Sequence, residues 1–226
     1  MTSMAEAAPR RYDLVCFDVD GTLVEHAEDK VIWQVLTRRF LGDDAPNENR
    51  YLAYKAGRIS YSDWVALDVG DWQRCGATRD QIVAALTAEL RLVDGARETL
   101  ATLKRRGVKL AVISGTLDIA LDTLFPDHPF DDVFCNRISF AADGAIAGWQ
   151  ATPYDMDGKA DALRLIAERE GVPLARCAFV GDHANDLAAA RVAGRAIAFN
   201  PKSAELEAAA QVVLRGPDLR VILEHL

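Results

Sequence analysis

Asp18 and Asp20 stand two residues apart, directly behind the apolar run Tyr12-Asp13-Leu14-Val15-Cys16-Phe17, and Gly21 and Thr22 follow at once. If that run is a strand, residues i and i+2 point to the same face, so both carboxylates face one way. Each like charge then opposes the ionisation of the other. A cation between them would resolve the conflict, as would one carboxyl kept protonated beside a charged one. Taken alone the pattern is weak, because Asp-x-Asp also occurs in surface turns and calcium loops.

Four more places carry chemistry: Ser114-Gly115, Lys159, Gly181-Asp182 and Asn185-Asp186. Each has an ordinary reading as well. Ser-Gly is a common turn, a lysine at a helix start is usually solvated, and Asp182 or Asn185 suits a helix N-cap. Their common feature is position. Each is expected at the carboxyl end of a strand or the start of a helix, where the ligands of open α/β sheets bind. Asp18, Asp20 and Asp182 together suit a hard cation with oxygen ligands, Mg²⁺ above all. Helix N-termini with small residues suit phosphate.

The elements that must position these groups are legible as a pattern. From about Glu25 to Leu92 the periodicity is helical, with Val31, Ile32, Val35 and Leu36 and then Ile82, Val83, Leu86 and Leu90 on helical spacings. Asp43-Asp44-Ala45-Pro46-Asn47 reads as a loop, and Thr78 or Asp80 as the cap of a helix near Gln81. From Val93 onward strands and helices alternate. Val108 to Ile113, Val133 to Cys135, Cys177 to Val180, Ala196 to Phe199 and Val212 to Leu214 read as strands. Helices are expected over 95–106, 116–125, 159–169, 186–192 and 218–226. Asp143-Gly144 between two alternating runs predicts a hairpin within Arg137 to Gln150. This is an α/β chain with a doubly wound parallel sheet in three layers. Its expected division is a loose arm at 1–11, a core of 12–24 with 93–226, and a helical insert at 25–92.

With these residues in this order, the sequence resembles the haloacid dehalogenase superfamily of phosphohydrolases. Asp18-Val19-Asp20-Gly21-Thr22 looks like its first motif, Ser114 its second, Lys159 its third and Gly181-Asp182-His183-Ala184-Asn185-Asp186 its fourth. The phosphoserine phosphatase group within it is the nearest in local pattern, through Ser114 to Ala120, Asn136-Arg137 and Ala198 to Lys202. The resemblance implies a Rossmann-like core with a helical cap at the insert, Mg²⁺, and hydrolysis through an aspartyl-phosphate. It makes Asp18 the nucleophile and Asp20 the acid and base, with Thr22 orienting Asp20. Mg²⁺ would be held by Asp18, the Asp20 carbonyl and Asp182, with Asp186 in an outer or orienting place. Ser114, Lys159 and N–H groups near Val19, Asp20 and Gly115 would hold the phosphoryl oxygens, and Asn185 would add a donor.

The insert should choose the substrate, because the core motifs meet only phosphate and metal. By resemblance a cation for an amino-acid carboxylate is expected at position 68, which is Asp68 here, and an acid at position 27, which is Ala27. Arg58 or Arg74 is the substitute cation; Tyr51, Tyr54, Tyr61, Trp64 and Trp72 are read first as the core of a small cap and second as a pocket wall, with Trp64 and Tyr54 foremost in that second reading. His26 and His128 are expected on the surface and His183 at a rim.

Composition bounds the rest. The chain has 226 residues, half of them hydrophobic, with 26 basic against 34 acidic side chains and a net charge of −8. Neither nucleic acid nor a membrane surface is an expected partner of so acidic a chain without a basic run. The four cysteines form no C-x-x-C, and three fall in expected buried strands, which fits reduced thiols and a cytoplasmic protein. No run reaches bilayer length and none at the start resembles a signal peptide. The expected partner is a small phosphorylated metabolite, phosphoserine among the candidates, and the expected state a monomer or homodimer. Two other readings stand beside hydrolysis: a phosphotransferase or phosphomutase using the same aspartyl-phosphate, and a silent binding protein on the same fold. A silent protein should have lost Asp18, Asp20, Lys159 or Asp182, and none is lost.

Overall fold

A computed structural model describes residues 11–226, so the expected arm lies, Arg11 apart, outside the described residues. The chain runs β1 (Leu14–Phe17), β2 (Val24–His26), α1 (Ile32–Leu41), α2 (Ala45–Lys55), α3 (Tyr61–Arg74), α4 (Arg79–Glu89) and β3 (Leu90–Leu92). It continues with α5 (Ala96–Arg105), β4 (Lys109–Leu117), α6 (Asp118–Leu124), β5 (Asp132–Phe140), β6 (Ile146–Gln150) and α7 (Lys159–Arg169). The last elements are β7 (Cys177–Gly181), α8 (Leu187–Val192), β8 (Arg195–Phe199), α9 (Ala204–Ala209) and β9 (Val212–Leu214), followed by a 3₁₀ turn at Leu219–Glu224.

The main sheet has the order β6-β5-β4-β1-β7-β8-β9 and is parallel except for β6, which returns on β5 through the Asp143-Gly144 hairpin. Side chains alternate across it as a period of two requires. Leu14 and Cys16 of β1, Ala111 and Ile113 of β4, and Cys177 and Phe179 of β7 pack under α7 and α8. Val15 and Phe17, Leu110 and Val112, and Ala178 and Val180 pack on the opposite face with Leu100 and Leu103 of α5 and with Leu219 and Ile222. Burial on both faces explains why these strands read as unbroken apolar runs. It also places β1 between β4 and β7, the point where chain connections leave in opposite directions and a crevice opens.

Helices α1 to α4 lie between two short strands, β2 and β3, which pair antiparallel with Val24 opposite Leu92. The insert has its own apolar centre. Trp72 is fully buried, its ring 5.4 Å from that of Trp33, and its indole N–H donates to Thr37 Oγ1 at 3.3 Å. Thr78 caps α4 with Gln81 as its reciprocal partner.

Several local expectations differ from what forms. Ala45-Pro46 open α2 instead of belonging to a loop, since proline costs little in a first turn whose N–H groups lack helical partners. Ser114-Gly115 do not open a helix. The strand runs on through a register shift until Leu117 pairs with Asn136, and α6 starts only at Asp118. Residues 184–186 form a 3₁₀ turn ahead of α8. His26 is not a surface residue: its side chain is 5% exposed, and Nε2 lies 3.3 Å from Glu89. Among the described residues no helix is long and apolar enough to cross a membrane.

Candidate active site

Asp18 follows β1, Ser114 lies in β4 and Asp182 follows β7. Neighbouring strands stand about 4.8 Å apart, so the three groups meet at one end of the sheet. Asp18 is held there by its N–H, which donates to the carbonyl of Val180 at 2.9 Å. The chain then turns sharply: N–H groups of Thr22, Leu23 and Val24 all donate to the carbonyl of Val19, whose side chain is in the core. Gly21 has φ of +85°, and a Cβ there would fall 2.1 Å from Asp182 Oδ2. Only glycine lets the turn lie so close to that carboxylate.

Lys159 is the countercharge of the site. It is fully buried, and its ammonium donates to Asp18 Oδ1 and to Asp186 Oδ1, each at 2.7 Å. Burial alone would lower its pKa, but Asp18 and then Asp186 raise it, so it stays charged. Asp186 accepts twice more through Oδ2, from the N–H groups of Asp182 and His183 at 2.9 and 3.0 Å. It thus ties the turn after β7 to Lys159. Thr22 departs from its expected partner. Its hydroxyl donates to Asp182 Oδ1 at 3.3 Å rather than to Asp20, because the turn at Gly21 brings it against β7.

Buried carboxylates of Asp18, Asp182 and Asp186 offer oxygens within 4.8 Å of one another. Such a set of hard donors fits Mg²⁺. Its cost without a cation is visible in the acidities. Burial, then Asp18 and Asp186, push the Asp182 carboxyl well above its ordinary range. Burial pushes Asp186 to about 6, against the opposing pull of Lys159. The Asp20 carboxyl is raised to about 7, first by burial and then by Asp18, although the N–H of Ile32 at the start of α1 donates to it at 3.3 Å.

The Asp20 shift predicts how stability varies with pH once metal is chelated. The folded state holds the Asp20 proton more tightly than the unfolded chain, whose ordinary value is 3.8. The associated stabilisation is complete below that value and is lost as pH rises through about 7. Urea midpoints in EDTA should therefore fall over this window by up to about 4 kcal/mol in equivalent stability. Asp20→Asn should remove its own share of the slope and leave that of Asp182 and Asp186; an unchanged slope would refute the assignment.

Asp18, Asp20, Ser114, Gly115, Asp182 and Asn185 line a cleft of about 460 Å³ that also reaches Trp64 of the insert. The Gly115 carbonyl is pinned from both sides, by the Trp33 indole N–H at 2.8 Å and by Asn136 Nδ2 at 2.7 Å. Ser114 Oγ accepts the N–H of Thr116 at 3.1 Å. Asn185 spends one of its two amide N–H donors on Asp155 Oδ1, at 2.9 Å. Asp155, in the loop before α7, lines the cleft and was invisible in the sequence because no periodicity or motif surrounds it. A Cβ on Gly115 would meet its Oδ2 at 2.1 Å, so the unadorned glycine at 115 also makes room for this carboxylate.

Arg58 does not reach the cleft. It is exposed, beyond the left-handed turn at Gly57 that ends α2, and does not line the cavity. Arg74 is mostly exposed and pairs with Asp71. Asp68 is fully buried and accepts from Asn47 Nδ2 at 2.6 Å and from Arg50, which also binds Asp71. His183 is an exposed residue of the cleft rim.

Comparison with known proteins agrees with this geometry. The haloacid dehalogenase-like hydrolase family description matches residues 12–194. A phosphoserine phosphatase of Mycobacterium tuberculosis is 33% identical over 93% of this chain and 49% of its own. One from Halobacterium salinarum is 33% identical over 84% of this chain and 86% of its own. The chain spans about half the length of the first relatives it matches, the one from Streptomyces coelicolor included. A solved phospho-aspartyl intermediate analogue of phosphoserine phosphatase superposes with a TM-score of 0.76 and 27% identity, over 95% of this chain and 99% of that one.

Proposed function

The chain belongs to the haloacid dehalogenase-like hydrolase family, and from that premise we propose that it is a Mg²⁺-dependent phosphomonoesterase working through an aspartyl-phosphate. The observation that supports this most is the Asp18–Lys159–Asp186 triad packed against Asp182 at the head of β1. Asp18, Asp182 and the Asp20 carbonyl would hold Mg²⁺, which when bound offsets phosphate charge and polarises phosphorus.

The remaining steps belong to the protein. An Asp18 carboxylate oxygen attacks phosphorus while the bond from phosphorus to the ester oxygen breaks. The proton on Asp20 goes to the departing oxygen, so the alcohol leaves neutral. Asp20, now ionised, takes a proton from a water whose oxygen attacks phosphorus. The bond to Asp18 breaks, and inorganic phosphate and the free carboxylate are restored. A carboxyl poised at about 7 can serve as acid and base in turn. In this reading Lys159 and the Ser114 hydroxyl bind the phosphoryl oxygens, with N–H groups near Val19, Asp20 and Gly115. Asp186 fixes Lys159 and the turn that carries Asp182. Thr22 steadies Asp182, and Asn185 and Asp155 hold each other at the cleft floor.

Phosphoserine is the substrate named for the relatives. The insert of this chain offers it a poor carboxylate site, since position 68 is an acid and Arg50 is neutralised by two aspartates. The reaction class is tested by phosphate release from phenyl phosphate. Release with Mg²⁺ and its loss in EDTA, restored by added Mg²⁺, is the expected outcome. Turnover indifferent to EDTA would remove the metal from the scheme.

A further inference from the structure

We propose that the ester this protein cleaves carries a cationic amine on its leaving group and no carboxylate, which makes it a phosphorylated amino alcohol. The inference rests on the phosphomonoesterase reading and adds the class of alcohol released.

The cleft extends from the catalytic carboxylates to a second half walled by α2, α3 and the loop before α7. Tyr51 and Trp64 line it, with ring centroids 5.8 Å apart. Tyr54 and Tyr61 stand behind Trp64 at 5.9 and 6.0 Å and line an adjoining hollow that shares Asp155, Met156 and Asp157 with the cleft. Electron-rich ring faces attract ammonium groups, and do so more strongly where water is excluded.

Charge in this half has the same sense. Beyond Asp18, Asp20 and Asp182, the cleft is lined by Asp29, Glu48, Asp155 and Asp157 against Lys55 and Lys202, so four acids and two bases leave a net of −2. Asp155 is 9% exposed and accepts from two neutral groups, the Asn185 amide and the Tyr61 hydroxyl. Asp157 accepts from the Tyr54 hydroxyl at 3.0 Å, and Glu48 lies in the first turn of α2 with no ion pair among the described residues. Lys159 stands close enough to Asp155 to feel its charge, whereas neither Glu48 nor Asp157 has a cation of its own among the described residues, and the leaving group can bring one. By contrast, a substrate carboxylate would enter a net negative wall. Arg50, half-buried in the insert, is already bound to Asp68 and Asp71. Lys55 is exposed at the rim and outnumbered.

The test is phosphate release with Mg²⁺ from phosphoethanolamine, phosphocholine, phosphoserine, glycerol phosphate and phenyl phosphate. An amino-alcohol ester should exceed glycerol phosphate and phosphoserine in kcat/KM by about tenfold or more. Replacing both exposed acids, Glu48→Gln with Asp157→Asn, should lower the ratio of that ester to glycerol phosphate by about tenfold. Calorimetric titration of Asp18→Asn protein with the intact esters should rank them in the same order. A preference for phosphoserine, equal rates for charged and neutral esters, or a ratio unmoved by the double substitution would overturn this inference alone. No release from any ester, phenyl phosphate included, would overturn the phosphomonoesterase reading and this inference with it.

Discussion

Asp18→Asn protein should lose phosphate release by about a thousand-fold or more while remaining folded. Losing the group that forms the covalent bond removes a step that no neighbouring side chain replaces. Asparagine keeps the shape of the side chain, which matters in a position only 4% exposed. Stability should not fall with activity. The Asp18 charge is one cause of the raised pKa values of Asp20 and Asp182, so its removal relieves repulsion in metal-free protein. The lost bond to Lys159 works the other way, but Asp186 remains as its partner. Phosphate release and urea unfolding, measured together, separate the two effects. Turnover that survives the substitution would sink the nucleophile assignment.

Lys159→Met should be the more destructive change for the fold. It leaves Asp18, Asp182 and Asp186 packed together, with the nearest remaining ammonium that of Lys202, 3.6 Å from Asp182. Stranding buried charges in this way costs about 3–5 kcal/mol. Part of the loss should return on adding Mg²⁺, because a divalent cation supplies the missing charge, and this rescue distinguishes electrostatic damage from a packing defect. Turnover should fall about a hundred-fold or more even in Mg²⁺, since the proposed mechanism loses its Lys159 donor to the phosphoryl oxygens. A variant as stable as the parent in EDTA would show that Lys159 is not the countercharge.

Much of this site was legible in the sequence for a geometric reason. Asp18 and Asp182 sit where apolar runs stop, Lys159 opens a helix after a loop, and the ends of buried strands are easy to see. The sheet was legible likewise, because Val15, Phe17, Ala178 and Val180 alternate with Leu14, Cys16, Cys177 and Phe179 between two covered faces. What could not be read depends on contacts between distant parts of the chain. Asp155 meets Asn185 across thirty positions, and Arg50 meets Asp68 across eighteen. Neither pair leaves a periodic trace. Thr22 was assigned to Asp20 because they are neighbours in sequence, whereas the turn at Gly21 hands its hydroxyl to Asp182. Ser114-Gly115 were expected to begin a helix, since small polar residues after a strand usually do. Pairing of Leu117 with Asn136 keeps the strand going past them.

The pairing of β2 with β3 has a consequence for how such a protein can change over generations. With Val24 opposite Leu92, and the N–H of Val93 donating to the carbonyl of Leu23 at 3.0 Å, the chain leaves and rejoins the sheet at almost one point. A segment whose two ends touch can be lengthened, shortened or exchanged whole, and the host backbone still closes. The four helices can therefore be treated as a cassette. On the proposed function, transplanting residues 25–91 onto another chain with the same strand pair is expected to move the choice of alcohol and leave the phosphate chemistry behind.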